Sequence, residues 1–249
     1  MKTKFLAAMA AGLMAVTSFA ASAADQLRVG THPTFAPFEF MESASREYVG
    51  FDMDLIREIG KRAGMEVEIV NMGFDGLIPA LLTGNIDLAV SGITITEERK
   101  KRVDFCDPYY QAGQSLMVRA ADKDKYNAIT DLENKTIAVQ IGTTGADVAK
   151  SIKGAKIKAF NTGAEAFMDL KMKGADAVIT DRPVIGYFIV KNPRAAKGLM
   201  QKDVPFDSEY FGFAAKKGNT ELVNKVNAAM KAMKEDGTYQ KIYSKWFGQ

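Results

Sequence analysis

Short apolar runs alternate along this chain with longer segments whose apolar positions recur every three or four residues, and that alternation predicts the elements. Leu27–Thr31, Val67–Val70 and Ile86–Val90 read as buried strands. Between the first two, Asp52–Ala63 sets Leu55, Ile56, Ile59 and Ala63 on one helical face, with Asp52 placed to cap its start and Gly64 to end it. Gly76–Thr83 reads as a short helix closed by Gly84. This βαβα order predicts a mainly parallel sheet covered by helices on both faces. The scheme then repeats. Strands are expected at Thr136–Gln140, Ile157–Phe160 and Ala177–Thr180, and helices at Gly145–Ile152, with Gly154 beyond its end, and at Ala164–Lys173, stopped by Gly174. The segments Asp87–Gly92 (DLAVSG) and Asp176–Asp181 (DAVITD) share one plan of glycine, aspartate, apolar strand and polar end.

The tail adds a strand at Tyr210–Lys216, an amphipathic helix at Thr220–Glu235 ended by Gly237, and an aromatic-rich helix at Thr238–Gly248 that Thr238 could cap. Because the middle unit is already complete, the tail is expected to return to the first. Two crossovers then fall near Tyr110–Gly113 and Phe206–Tyr210, and a paired crossover makes a hinge. The expected division is a leader at 1–23, a first lobe at 24–111 with 209–249, and a second lobe at 112–208.

The first residues do not fit this alternation. Lys2 and Lys4 precede an uncharged apolar run, Phe5–Phe19, and then Ala21-Ser22-Ala23, which has the form of a secretory cleavage site. A signal peptide is therefore expected, and no later segment reaches spanning length. The remaining chain, 249 residues long before cleavage, has the 47% apolar and 25% charged content of a globular protein. Losing Lys2 and Lys4 with the leader lowers the net charge from +3 to +1. A near-neutral chain without a basic patch interleaved with aromatics argues against nucleic acid. The single cysteine, Cys106, can form no internal disulfide and lies far from the cleavage site, so a lipid anchor is not expected and export leads to the periplasm. It reads as a small packed residue.

Candidate chemistry collects at the strand ends, where ligands bind in open α/β sheets. The first end is Gly30-Thr31-His32-Pro33, the third is Ser91-Gly92-Ile93-Thr94, and the second unit contributes Gln140–Gly145 and Thr180-Asp181. After Thr94, Thr96 is placed to cap a charged helix that opens with Glu97 and Glu98, and Arg99 sits one turn in. An arginine fork matches the two oxygens of a carboxylate. Asp181 suits an ammonium, and Thr144 opens a helix whose free N–H groups favour an anion. Together these groups suit a zwitterion. By residue habit alone, Arg99 is equally one more solvated charge in EERKKR, Asp181 a turn aspartate before Pro183, and Phe35 and Phe74 core aromatics.

Several motifs in order carry a resemblance across the whole chain beyond the leader. GFDMDLIREIGKRA from Gly50, PFEF from Pro37, SGITITEERKKRVDF from Ser91, GTTGA from Gly142 and YQKIYSKWFG from Tyr239 resemble the polar amino-acid-binding proteins of bacterial ABC importers, solute-binding protein family 3, nearest in pattern to glutamine-binding proteins. The resemblance implies the type II periplasmic binding protein fold, two α/β lobes joined by a double-crossover hinge that close on one free L-amino acid. It implies that Arg99 holds the α-carboxylate with help from Thr94 and Thr144. Gly92 would offer a carbonyl, Asp181 would bind the α-ammonium, and Phe35 and Phe74 would wall in the carbon chain. It implies delivery to the membrane permease of an ABC importer, leaves room for a chemoreceptor as a second partner, and implies a monomer without cofactor or metal.

Three positions depart from the glutamine- and lysine-binding pattern: His32 replaces an aspartate, Gln140 a lysine and Thr180 a histidine. The lost aspartate argues against a cationic side chain, and neutral His32 with Gln140 suits an amide, so glutamine is the first expectation. A protonated His32 would favour glutamate. The alternative is a dehydratase acting on cyclohexadienyl compounds or arogenate on the same fold. It would need an acid in the cleft, and Glu39 and Glu42 are the nearest by sequence. One histidine, one cysteine and no H-E-x-x-H, G-x-S-x-G or P-loop leave little catalytic equipment.

Overall fold

A computed structural model describes residues 25–248, so the expected signal peptide lies outside the described residues. The chain begins with β1 (Asp25–Thr31), followed by the short strands β2 (Thr34–Phe35), β3 (Glu39–Met41) and β4 (Tyr48–Val49), which form a small antiparallel sheet of their own. Helix α1 (Phe51–Ala63) and β5 (Met65–Asn71) come next, then a 3-10 turn at Phe74–Gly76, α2 (Leu77–Thr83), β6 (Leu88–Ala89), α3 (Glu97–Lys100) and β7 (Val103–Phe105). A long strand, β8 (Tyr110–Arg119), carries the chain into the second lobe. There β9 (Thr136–Gln140), α4 (Thr144–Ser151), β10 (Lys156–Phe160), α5 (Gly163–Lys171), β11 (Ala177–Asp181), α6 (Arg182–Lys191) and β12 (Leu199–Lys202) follow. The return runs through β13 (Ser208–Phe211) and β14 (Ala214–Lys216) and ends in α7 (Thr220–Glu235) and α8 (Thr238–Phe247).

Two separate sheets result. The first has the order β5-β1-β6-β14-β7, parallel from β5 to β6 and antiparallel where β14 enters. The second has the order β10-β9-β11-β8-β12, with β10, β9 and β11 parallel and β8 antiparallel to its neighbours. The expected two-lobed α/β architecture is therefore present. β8 and β13 pair antiparallel, Tyr110 with Phe211 and Gly113 with Ser208, so the two crossovers form one hydrogen-bonded ribbon. A two-stranded ribbon bends more readily than a packed sheet, which makes it a hinge.

Several expected boundaries shift for physical reasons. Tyr210–Lys216 is not one strand: it breaks at Gly212-Phe213, because β13 pairs with β8 whereas β14 belongs to the first sheet. Asp52 does not cap α1. Gly50 takes the capping position with no side-chain bond, and Asp52 is fully buried inside the first turn. Thr238 does not cap α8 either; Gly237, in the left-handed region, precedes it, and the Thr238 hydroxyl accepts from Arg62. The third strand is shorter than its apolar run, although Val90 N–H still donates to Gly30 O at 2.9 Å.

The tail packs on the face of α1 as its aromatics require. Phe38 and Phe51, both fully buried, meet Tyr110, Phe211, Tyr239, Tyr243 and Phe247 with ring centroids 4.9–6.3 Å apart. This cluster anchors the hinge ribbon to the first lobe. Trp246 and Lys245 both donate to Asp54 at 2.7 Å and pin α8 to α1.

Candidate functional site

The ends of β1 and β6 in one lobe face the ends of β9 and β11 in the other, and the lobes are closed on each other. Arg99 makes the crossing. Thr96 caps the short helix α3, its hydroxyl accepting from Arg99 N–H, and this fixes the start of the arginine side chain. The guanidinium donates to Thr94 O in its own lobe at 2.8 Å and to Gly142 O in the other at 3.0 Å, and its carbon lies 5.7 Å from the centre of the Phe74 ring. Burial pulls its pKa down, opposed by Asp147, Glu209 and Asp181. A half-buried guanidinium within the field of three acids stays charged.

Asp181 ends β11 on the second lobe, buried to 6% exposure. Its oxygen Oδ1 accepts a long hydrogen bond, 3.5 Å, from Gln114 Nε2. Burial holds its carboxyl well above the ordinary range, Glu209 adds to that, and Arg99 opposes it. A buried acid so poorly paired is a site for a cation.

The closed lobes leave only a narrow cavity between them, about 10 Å³, roughly the room of one water molecule. Phe35, Phe74, Gly92 and Thr94 line it from the first lobe together with Arg99, and Gln140, Thr144 and Asp181 line it from the second. Eight of the ten residues singled out in the sequence thus surround one space. His32 is buried behind it: its Nδ1 lies 3.2 Å from both Gln140 Nε2 and the Thr34 hydroxyl. Burial lowers its pKa, with Asp75 and Glu165 pulling the other way, which favours the neutral ring. Thr180 is buried in β11 opposite Ser115 and does not line the cavity.

Three residues that the sequence reading passed over belong to the site. Thr143 lines it and caps α4, its hydroxyl accepting from Ala146 N–H, so Thr144 is the first residue of that helix. Glu209, from the hinge strand β13, brings one oxygen, Oε2, within 3.2 Å of Thr94 Oγ1, 3.1 Å of Thr144 Oγ1 and 3.0 Å of Gln114 Nε2. The two threonine hydroxyls therefore face an acid and lie 3.5 Å from each other across the lobes. Only the pairing of Glu209 opposite Ala112 in the ribbon brings Glu209 and Gln114 here, and no local motif marks either one. Glu39 and Glu42 are not in the cavity: Glu39 is fully buried beneath it and Glu42 is exposed beside Ser45.

The closed contact is tightest at Gly142. Its φ of +77° suits glycine, and a Cβ there would lie 3.1 Å from Asp75 Cβ and 3.2 Å from Asp75 Cα in the opposite lobe. Gly142→Val is expected to hold the lobes apart. Solution scattering with ligand present should then give a larger radius of gyration than the parent protein, and an unchanged radius would show that this contact does not limit closure.

A family model described as bacterial extracellular solute-binding proteins, family 3, matches residues 27–249. Arginine-binding protein 1 of an ABC transporter from Escherichia coli is 37% identical over 96% of this chain and 98% of its own length. An ancestral arginine-binding protein solved with arginine is 47% identical, with a TM-score of 0.83 over 90% of this chain and 98% of that one. An ancestral arginine-binding protein solved with glutamine is 46% identical, with a TM-score of 0.82 over the same shares.

Proposed function

From a chain that belongs to the bacterial extracellular solute-binding proteins, family 3, we propose a capture protein that closes on one polar L-amino acid and presents it to the permease of an ABC-type importer. The observation that carries this reading is that Arg99 and Asp181 line one small cavity, a guanidinium for the α-carboxylate and a buried acid with only a long hydrogen bond from Gln114 for the α-ammonium. Gly92 and Thr94 lie between them, and Phe35 and Phe74 supply apolar walls. A micromolar complex requires about 8 kcal/mol, and charged hydrogen bonds contribute about 1.5–3 kcal/mol each, so a few such contacts suffice after the cost of closure. The proposed working place is the periplasm, reached through the N-terminal leader. Among the described residues no helix is long and apolar enough to cross a membrane.

The side-chain preference follows from Gln140. Its Nε2 is turned to His32, and its Oε1 is buried without a partner. A free acceptor there favours a ligand side chain that ends in N–H donors. Glutamine meets it with an amide. Arginine meets it with a guanidinium and gains from Asp75 and Glu165, the acids whose charge is felt at His32. These two acids restore the negative field that the missing aspartate at position 32 removed, so arginine stands beside glutamine in this proposal. The relatives bound to each agree with it. Glutamate, whose side chain only accepts, would meet that unpaired oxygen and a neutral histidine.

Calorimetry against all standard amino acids tests both levels. Glutamine and arginine are expected to bind and glutamate to bind at least tenfold more weakly. Tight glutamate binding would overturn the side-chain reading, and no heat with any amino acid would overturn the function. The dehydratase alternative has no acid in the cavity at Glu39 or Glu42 to carry it.

A further inference from the structure

Beneath the cavity lies a pair of acids that no ligand contact requires. Glu39, on β3, and Asp52, in the first turn of α1, are both fully buried. Each has one oxygen engaged and one left over. Asp52 Oδ2 accepts from Gly92 N–H at 2.9 Å and from the Tyr109 hydroxyl at 2.7 Å. Glu39 Oε1 accepts from the Ser91 hydroxyl at 2.8 Å, and that same oxygen of Ser91 accepts from His32 N–H at 3.1 Å. The remaining oxygens, Glu39 Oε2 and Asp52 Oδ1, are buried without a hydrogen-bond partner, and the charge of Asp52 is felt at Glu39. Two buried carboxylates with oxygens left unpaired and no cation facing them do not both stay charged.

We infer that the buried pair Glu39 and Asp52 holds a single proton at neutral pH, carried on Glu39, and that this pair positions Ser91 and Gly92 at the floor of the cavity. The place of the proton follows from the donors already present. Asp52 takes two strong ones, a backbone N–H and a phenol, which favour its charged form, whereas Glu39 takes only a serine hydroxyl. Burial and the neighbouring Asp52 hold the Glu39 carboxyl well above the ordinary range, and burial pushes Asp52 up to about 6. The other titratable groups facing the pair are Tyr109, Asp181, whose charge also reaches Glu39, and Tyr239 on α8, whose hydroxyl donates to Tyr109 O at 2.6 Å. None is a cation, so nothing nearby would stabilise a second negative charge. Asp52 lies one bond behind Gly92 and Glu39 one bond behind Ser91, so a change in their charge is felt where a ligand's ammonium would rest.

The sign follows from linkage. Glu39 binds its proton more tightly in the folded state than in the unfolded one, so its contribution to stability is complete below the ordinary glutamate value of 4.5 and is lost as pH rises through its raised folded value. Glu39→Gln keeps an acceptor for Ser91, and it cannot ionise. The full-length secreted protein, with glutamate carboxyl carbons labelled with ¹³C, is expected to show one glutamate still protonated at pH 7, with that resonance absent from Glu39→Gln. A Glu39 resonance at the ionised position at pH 7 would overturn the proposal, and this reading needs no ligand.

The positioning role rests on the proposed amino-acid site and is read separately, with the amino acid that binds most tightly in calorimetry as probe. The ratio of parent to Glu39→Gln affinity is expected to rise as pH rises toward 9, because only the parent gains a negative charge near the ligand's ammonium. Parallel pH profiles would remove the positioning role, and binding by neither protein would refute the site and leave the shared proton standing on its resonance.

Discussion

Arg99→Ala is expected to lower the affinity for the amino acid by roughly tenfold to more than a hundredfold, the largest loss from any single side chain in the cleft. Charged hydrogen bonds contribute about 1.5–3 kcal/mol net, and each 1.4 kcal/mol is about a factor of ten. The loss should exceed that of a contact made on one lobe alone, because the guanidinium also joins Thr94 O to Gly142 O across the cleft. Alanine removes the carboxylate partner and a bond that favours the closed form together. Arg99→Lys keeps the charge without the planar fork and should fall between the two. Calorimetry with the preferred ligand measures it, and affinity within twofold of the parent for Arg99→Ala would remove Arg99 from the binding site.

Asp181→Asn is expected to act with opposite signs on two quantities. Affinity should fall tenfold or more, because the ammonium loses a buried charge partner. The ligand-free protein should become more stable at neutral pH, because a buried carboxyl with one bond of 3.5 Å is replaced by a neutral amide. The folded pKa of Asp181 lies above its unfolded value, so the empty protein loses stability as pH rises through that folded value, and asparagine removes the loss. Binding adds a third sign. An ammonium beside Asp181 lowers its pKa, so the complex holds fewer protons than the empty cleft, and affinity should rise with pH between the bound and free values. Calorimetry in buffers of different ionisation heat would detect the released proton. An asparagine variant that binds as tightly as the parent and melts at the same temperature would sink the assignment.

The two predictions differ in kind because the two residues are held differently. Arg99 is paired on both lobes and loses bonds when it is removed. Asp181 has a long bond from Gln114, so its cost falls on the protein without ligand. A cleft built in this way draws a ligand with both poles more strongly than one with either pole alone.

Much of this was readable from the chain. Local pattern placed β1, β9 and β11 within a residue or two, because a strand buried on both faces is apolar throughout and ends where polar residues begin. It placed Thr96 as a cap, because a hydroxyl before two acids satisfies free N–H groups and the helix dipole at once. Helix ends at Gly64 and Gly84 followed from the left-handed backbone that glycine accepts. Asp52 is the instructive failure. Its position one residue into α1 resembles a cap, yet the side chain turns inward to Gly92 and Tyr109, contacts separated from it by 40 and 57 residues. The break within Tyr210–Lys216 was hidden for the same reason, since the two halves serve different sheets.

The sequence by itself determined the succession of strands and helices, the polar strand ends, and the pair of opposite charges carried by Arg99 and Asp181, because each depends on neighbours within a few positions. Tertiary structure alone decided that Glu209 and Gln114 enter the cleft from the hinge ribbon, that Gln140 keeps one oxygen free beside a neutral His32, and that Glu39 and Asp52 meet in the dark beneath Gly92. Those outcomes depend on register between distant strands and on exclusion of water, and both exist only once the two lobes have folded and closed.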